Sequence, residues 1–169
     1  FETMRAYDGR IFRLEDHLDR LAASAQFLGT PLPSTRRRLT QQLLAALERS
    51  HLTEAIVRIA VLPRLGAKTT GGTSRGGPSA SASIVVQPVA LPPLSAYRRG
   101  IRVAIVPTRK FPVSAITPQA KYSARLGSVL AVMDAQLRRA DEALFMDAMG
   151  YVAESTASTA STLTLASSS

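Results

Sequence analysis

The chain has 169 residues and a formal charge of +9, carried almost entirely by arginine, with no cysteine, two histidines (His17 and His51) and three lysines (Lys68, Lys110 and Lys121). Without cysteine there are no disulfides or thiolate ligands, and two histidines are too few for a metal cluster; the basic balance can mean nucleic acid or a site for anionic cofactors and carboxylate substrates, and the aromatic residues do not interleave with the basic ones as a single-strand surface requires. No apolar run reaches membrane-spanning length and no signal-peptide pattern opens the chain, so the expectation is a cytoplasmic protein with one good core, or one small domain and part of another.

Phe1 stands inside a predicted strand, so the sequence is expected to begin partway through a fold. Residues 1–7 and 10–14 alternate around Asp8-Gly9, a hairpin turn signal. A helix is predicted from Glu15 to Leu28, with Leu18, Leu21, Ala22, Ala25 and Leu28 on one face and Gly29 closing it. Arg20 lies within this helix, where spacing alone makes it an i, i+4 partner of Asp16. Pro31 and Pro33 make a rigid connection. Ser34 or Thr35 can cap the next helix, whose expected face is Leu39, Leu43, Leu44 and Leu47. Its first turn holds Arg36-Arg37-Arg38, readable as a solvated face or as a polyanion contact.

Glu54 to Leu62, rich in isoleucine and valine, reads as a strand with Arg58 at its middle, a residue that must reach solvent or an anion. Residues 66–83 are glycine- and serine-rich without periodicity, and the phosphate-loop patterns are absent, so a mobile loop is expected. Strands are predicted at Ile84–Val89 and Ile101–Val106, separated by a proline-marked turn at 91–95. Residues 107–119, with three prolines, read as a connection.

The stretch from Ala120 to Glu154 organises the rest. Lys121 stands before a predicted helix whose apolar face is Leu126, Val129, Leu130, Met133 and Leu137. Ala143 to Met146 form a short buried strand, Met149-Gly150 a turn, and Tyr151 to Ala153 a return strand that brings Glu154 back beside it. A lysine and a carboxylate so placed suit pyridoxal phosphate chemistry: the amine bonds covalently to the cofactor's aldehyde, and the acid keeps the pyridine nitrogen protonated.

KYSARLGSVL, ADEALFMD and GYVAE in this stretch, with FETMRAYDGRIFRLEDHLDRL at the start, resemble the fold-type IV pyridoxal phosphate enzymes (class IV aminotransferases). That family includes branched-chain aminotransferases, D-amino-acid aminotransferases and aminodeoxychorismate lyases. The resemblance covers the chain apart from residues 65–95 and the tail. It implies an α/β (α+β) chain with a small domain over 1–107 lacking its first strands, an interdomain connection at 108–119, and the start of the larger cofactor domain at 120–169.

The implied cofactor is pyridoxal 5'-phosphate, with Lys121 catalytic, Arg20 on the phosphate and Glu154 at the ring nitrogen. Phe1, Arg5 and Arg58 match positions that meet substrate, and no metal is implied. The implied activity is transfer of an amino group between a branched-chain-like amino acid and a 2-oxo acid, in a homodimer. Pyruvate-releasing lyase chemistry, an inactive fragment and a basic binding module are the alternatives. After Glu154 the sequence departs from the family: Ser155 replaces a glycine, TAS occurs twice in succession, and the rest of the cofactor domain is expected to be missing.

Overall fold

The structure, a computed structural model, describes residues 1–64, 79–109, 120–121 and 126–156. These form two compact units, each taken by itself. The first holds the described residues up to Leu91 together with Ala120 and Lys121. The second holds Pro92 to Arg109 and the described residues from Leu126 onward.

In the first unit β1 (Glu2–Tyr7) and β2 (Arg10–Ile11) are joined by Asp8-Gly9. Both turn residues have positive φ, 47° and 71°, as a two-residue hairpin with right-handed strand twist requires. β1 also pairs antiparallel with β3 (Ala55–Arg64), and β3 with β4 (Ser79–Pro88), giving the order β2-β1-β3-β4.

Helices α1 (Leu14–Phe27) and α2 (Arg36–Ser50) pack on one side of this sheet. Thr35 caps α2, its hydroxyl accepting from the Arg38 amide at 3.3 Å. Gly29 follows α1 with φ +61°, the left-handed turn that ends a helix without a Cβ penalty. The core joins Met4 and Ala6 of β1, Ala55, Val57 and Ile59 of β3, Leu18 and Leu21 of α1, and Leu39, Leu43 and Leu47 of α2. Leu44, expected on this face, is 45% exposed, because the four-residue stripe of 39, 43 and 47 turns it outward. Arg36 turns outward too and pairs with Glu15 and Asp19 of α1, so the solvated-face reading holds for the first member of the arginine run.

In the second unit β5 (Val103–Arg109) runs parallel to β6 (Glu142–Met146), which pairs antiparallel with β7 (Val152–Ser155). Helix α4 (Leu126–Leu137) packs on β5 and β6. The core is Ala104, Val106, Ala131, Ala135, Ala143 and Phe145.

Three expectations change here. The side of α4 that meets the strands is Ala131 and Ala135, whereas Leu126, Val129, Leu130, Met133 and Leu137 are all exposed. Small residues let the helix approach its strands closely, which turns the large ones away. β4 begins at Ser79, so the end of the expected 66–83 loop is strand, and residues 66–78 lie outside the described residues. The proline-marked turn leads into a short helix, α3 (Leu94–Arg99), and the expected boundary at 107 falls inside β5, whose sheet belongs to the second unit. The remaining connection, 110–119, lies outside the described residues.

The leucine stripe of α2 gives a direct stability test. Leu43 has no exposed surface, so Leu43→Ala should cost about 2 to 5 kcal/mol in urea unfolding, and Leu44→Ala less than about 1 kcal/mol. Equal losses would mean that the stripe is not the packing face.

Candidate active site

The alternation of β1 sends Glu2, Met4 and Ala6 toward the helices, so Glu2 is a carboxylate with no exposed surface. Such a charge requires partners. Arg20 supplies two, Nε to Oε1 at 2.6 Å and Nη2 to Oε2 at 2.5 Å, and His17 Nδ1 lies 2.8 Å from Oε2. His17 and Arg20 are three apart on α1 and so face the same strand.

Burial pushes the Glu2 carboxyl up, but the hydrogen bonds from Arg20 and His17 outweigh it and hold the group below the usual carboxylate range. The same hydrogen bond to Glu2 raises Arg20 above its ordinary value. With the folded value depressed, the pair's stabilisation is fully present above the ordinary carboxylate pKa of 4.5 and is lost as pH falls through the lower folded value. Asp16, which spacing offered to Arg20, pairs instead with Arg13 at 2.5 Å.

The opposite face of β1 and β3 gathers Phe1, Arg5 and Arg58. The register Thr3↔Arg58 and Arg5↔Ile56 puts them on the side away from α1 and α2. The Arg58 guanidinium carbon lies 4.3 Å from the centre of the Phe1 ring, and Lys121 Nζ lies 5.1 Å from the same ring. Both distances suit cation–π attraction. Arg5 pairs with Glu54 and lies 4.9 Å from the Tyr7 ring, while its buried Nε has no partner among the described residues.

Lys121 is tied to this unit through its backbone. The Phe1 nitrogen donates to the Lys121 carbonyl at 2.9 Å, and the Lys121 amide donates to Ser24 Oγ at 3.0 Å. Ser24 is buried on α1 one turn beyond Arg20, so one helix holds both the guanidinium and the lysine backbone. Among the described residues no carboxylate pairs with the Lys121 amine.

Glu154 lies in the second unit, on β7 opposite Phe145 of β6. The reversal before it is held by Asp147 Oδ1, which accepts from the amides of Met149 and Tyr151 at 2.9 and 2.8 Å. Phe1, Arg5, Arg20, Arg58 and Lys121 therefore belong to one compact unit and Glu154 to the other.

Sequence reasoning missed Glu2 and Ser24. The signal for Glu2 was present: strand parity puts residue 2 in the column of Met4 and Ala6, where a carboxylate needs cations. Ser24 carried no local signal beyond standing four residues after Arg20. A separate cleft of about 820 Å³ lies between α2 and β4, lined by Arg38, Gln41, Arg49 and Ser81 among others, and it contains none of the expected site residues.

The donor set fits pyridoxal 5'-phosphate. Arg20 keeps Nη1 without a partner among the described residues and its side chain is half exposed, leaving an edge for a phosphate. The unpaired amine of Lys121 is what an aldehyde requires.

The profile of the amino-transferase class IV family matches residues 1–164. A protein of Methanocaldococcus jannaschii, provisionally named as a branched-chain-amino-acid aminotransferase, is 35% identical over 156 residues, covering 92% of this chain and 52% of the relative. The branched-chain-amino-acid aminotransferase of Pseudomonas aeruginosa is 32% identical over 165 residues, 91% of this chain and 51% of its own length. Among solved structures, the branched-chain aminotransferase of the thermophilic archaeon Thermoproteus uzoniensis, with norvaline, superposes with a TM-score of 0.74 at 27% identity, covering 92% of this chain and 52% of the other. The chain thus spans about half the length of these relatives. With the family profile running almost from end to end of the sequence, and with the lysine, the arginines and the paired strands standing as described, the chain belongs to the class IV amino-transferase family.

Proposed function

We propose that the protein is a pyridoxal-phosphate-dependent aminotransferase that moves an amino group between a branched-chain-like amino acid and a 2-oxo acid. The observation that carries this reading is Lys121: its backbone is hydrogen-bonded on both sides, its amine has no carboxylate partner among the described residues, and Arg58 shares its aromatic neighbour. The names of the relatives supply the substrate class.

Bound pyridoxal 5'-phosphate supplies an electron-accepting ring and an aldehyde. Lys121 Nζ would hold the cofactor through that aldehyde, and the same amine would move the proton at the substrate α-carbon. It must be neutral to accept that proton. Arg20 offers Nη1 to the phosphate while Glu2 occupies its other edge. Glu154 is the carboxylate for the ring nitrogen. Arg58 and Arg5 receive the substrate carboxylate, and the Phe1 ring gives an apolar wall for the side chain. In this reading the protein works in the cytoplasm as a homodimer.

Two measurements test the assignment. With pyridoxal 5'-phosphate and borohydride, peptide mapping should find the label on Lys121 and not on Lys68 or Lys110, and Lys121→Ala should abolish transamination between a branched-chain amino acid and a 2-oxo acid. Labelling at either other lysine, or full activity in the variant, would refute the role, and pyruvate release without an amino acceptor would favour the lyase reading. Arg20→Ala should weaken cofactor binding by about 2 to 4 kcal/mol, read from a spectroscopic titration. Equal affinity in the parent and the variant would remove Arg20 from the phosphate site.

A further inference from the structure

We propose that Glu2 is a positioning residue of the phosphate site, fixing the plane of the Arg20 guanidinium so that its remaining edge faces the anion. The inference rests on the reading of Arg20 as the phosphate ligand.

The geometry is specific to this task. Glu2 has no exposed surface, and three donors hold its carboxylate: Arg20 Nε on Oε1, with Arg20 Nη2 and His17 Nδ1 on Oε2. Two hydrogen bonds to one rigid carboxylate define a plane, and His17, on the same helix as Arg20, stops that carboxylate from turning. The guanidinium therefore loses its rotational freedom before any ligand arrives, which is the condition for tight anion capture by a long side chain. Packing alone does not call for a charge here, since an apolar residue of similar volume in place of a buried ion pair is often neutral or stabilising.

Electrostatics and positioning predict opposite signs, which makes the idea testable. Glu2 carries a negative charge beside a site for an anion, so by Coulomb's law alone Glu2→Gln should strengthen phosphate binding. If Glu2 acts by positioning, the same change should weaken it.

The experiment compares the affinity for pyridoxal 5'-phosphate with that for pyridoxal, which lacks the phosphate, by absorbance titration of the parent chain, Glu2→Gln and Glu2→Asp. The parent should prefer the phosphorylated form. In Glu2→Gln that preference should fall by roughly tenfold or more, with pyridoxal affinity nearly unchanged. Glu2→Asp keeps the charge but withdraws the carboxylate by one methylene, and it should lose part of the preference while keeping the parent's far-UV circular dichroism at the temperature of the titration. If Glu2→Gln does not fold, Glu2→Asp decides.

A preference that is kept or increased in the folded variants overturns the positioning role and leaves the reading of Arg20 standing. A parent with no preference for the phosphorylated form, or with no binding of either compound, overturns the reading of Arg20 and this inference with it.

Discussion

A carboxylate with no exposed surface is the constraint on which the first unit depends. Glu2 cannot be solvated where β1 puts it, and its partners can come only from the helix that crosses that strand. Removing Arg20 would leave that carboxylate buried and unmatched, a loss of up to about 3 to 5 kcal/mol, whereas Arg20 itself is half exposed and could turn to solvent. The pair therefore sets the rotation of α1 about its own axis more strictly than Leu18 and Leu21 do, since apolar contacts tolerate small shifts and a bidentate hydrogen bond does not. With that rotation set, Ser24 meets the amide of Lys121 at 3.0 Å, and a segment distant in sequence is fastened next to Arg20.

The strands divide their labour by parity. On β1 and β3 the even positions of the first and the odd positions of the second face the helices and make the core. The alternate positions carry Arg5 and Arg58, with Phe1 beside them. Adjacent strands in antiparallel register thus place two arginines and a phenyl ring on one surface from residues more than fifty apart in the chain. The chemistry of that surface is cationic, and the internal acid that offsets part of it, Glu54, is taken by Arg5 and the Asp8 amide. Among the described residues Arg58 and Lys121 have no carboxylate partner, and both contact the Phe1 ring.

What was legible in the sequence was local. The Asp8-Gly9 hairpin, the Thr35 cap, the glycine after α1 and the turn before β7 each depend on residues within a few positions, and each stands where the pattern put it. The site residues Phe1, Arg5, Arg20, Arg58 and Lys121 are expectations from likeness to a family, since spacing alone made Arg20 a partner of Asp16. The misses were non-local. Ser79 to Ser83 have little strand propensity of their own and are strand because β3 pairs with them residue by residue. Glu2 is placed in the core only by the strand column it shares with Met4 and Ala6.

The second unit poses the opposite problem, a helix whose apolar pattern was legible but whose orientation was not. Periodicity locates a stripe of large residues on α4 and cannot say which neighbour it meets. Ala131 and Ala135 take the strands, since two alanines one turn apart allow a close approach that leucine or methionine would block. Five large side chains, Leu126, Val129, Leu130, Met133 and Leu137, are left at the surface, each at least half exposed. Fully burying an exposed side chain of this kind is worth about 1.5 to 3 kcal/mol, and each of these five has at least half of that still to gain. The core of this unit is mainly alanine, with Val106 and Phe145 as its only large members among the described residues. The larger apolar side chains of α4 thus lie on its outer side, and the contact that holds it to the strands is made by small ones.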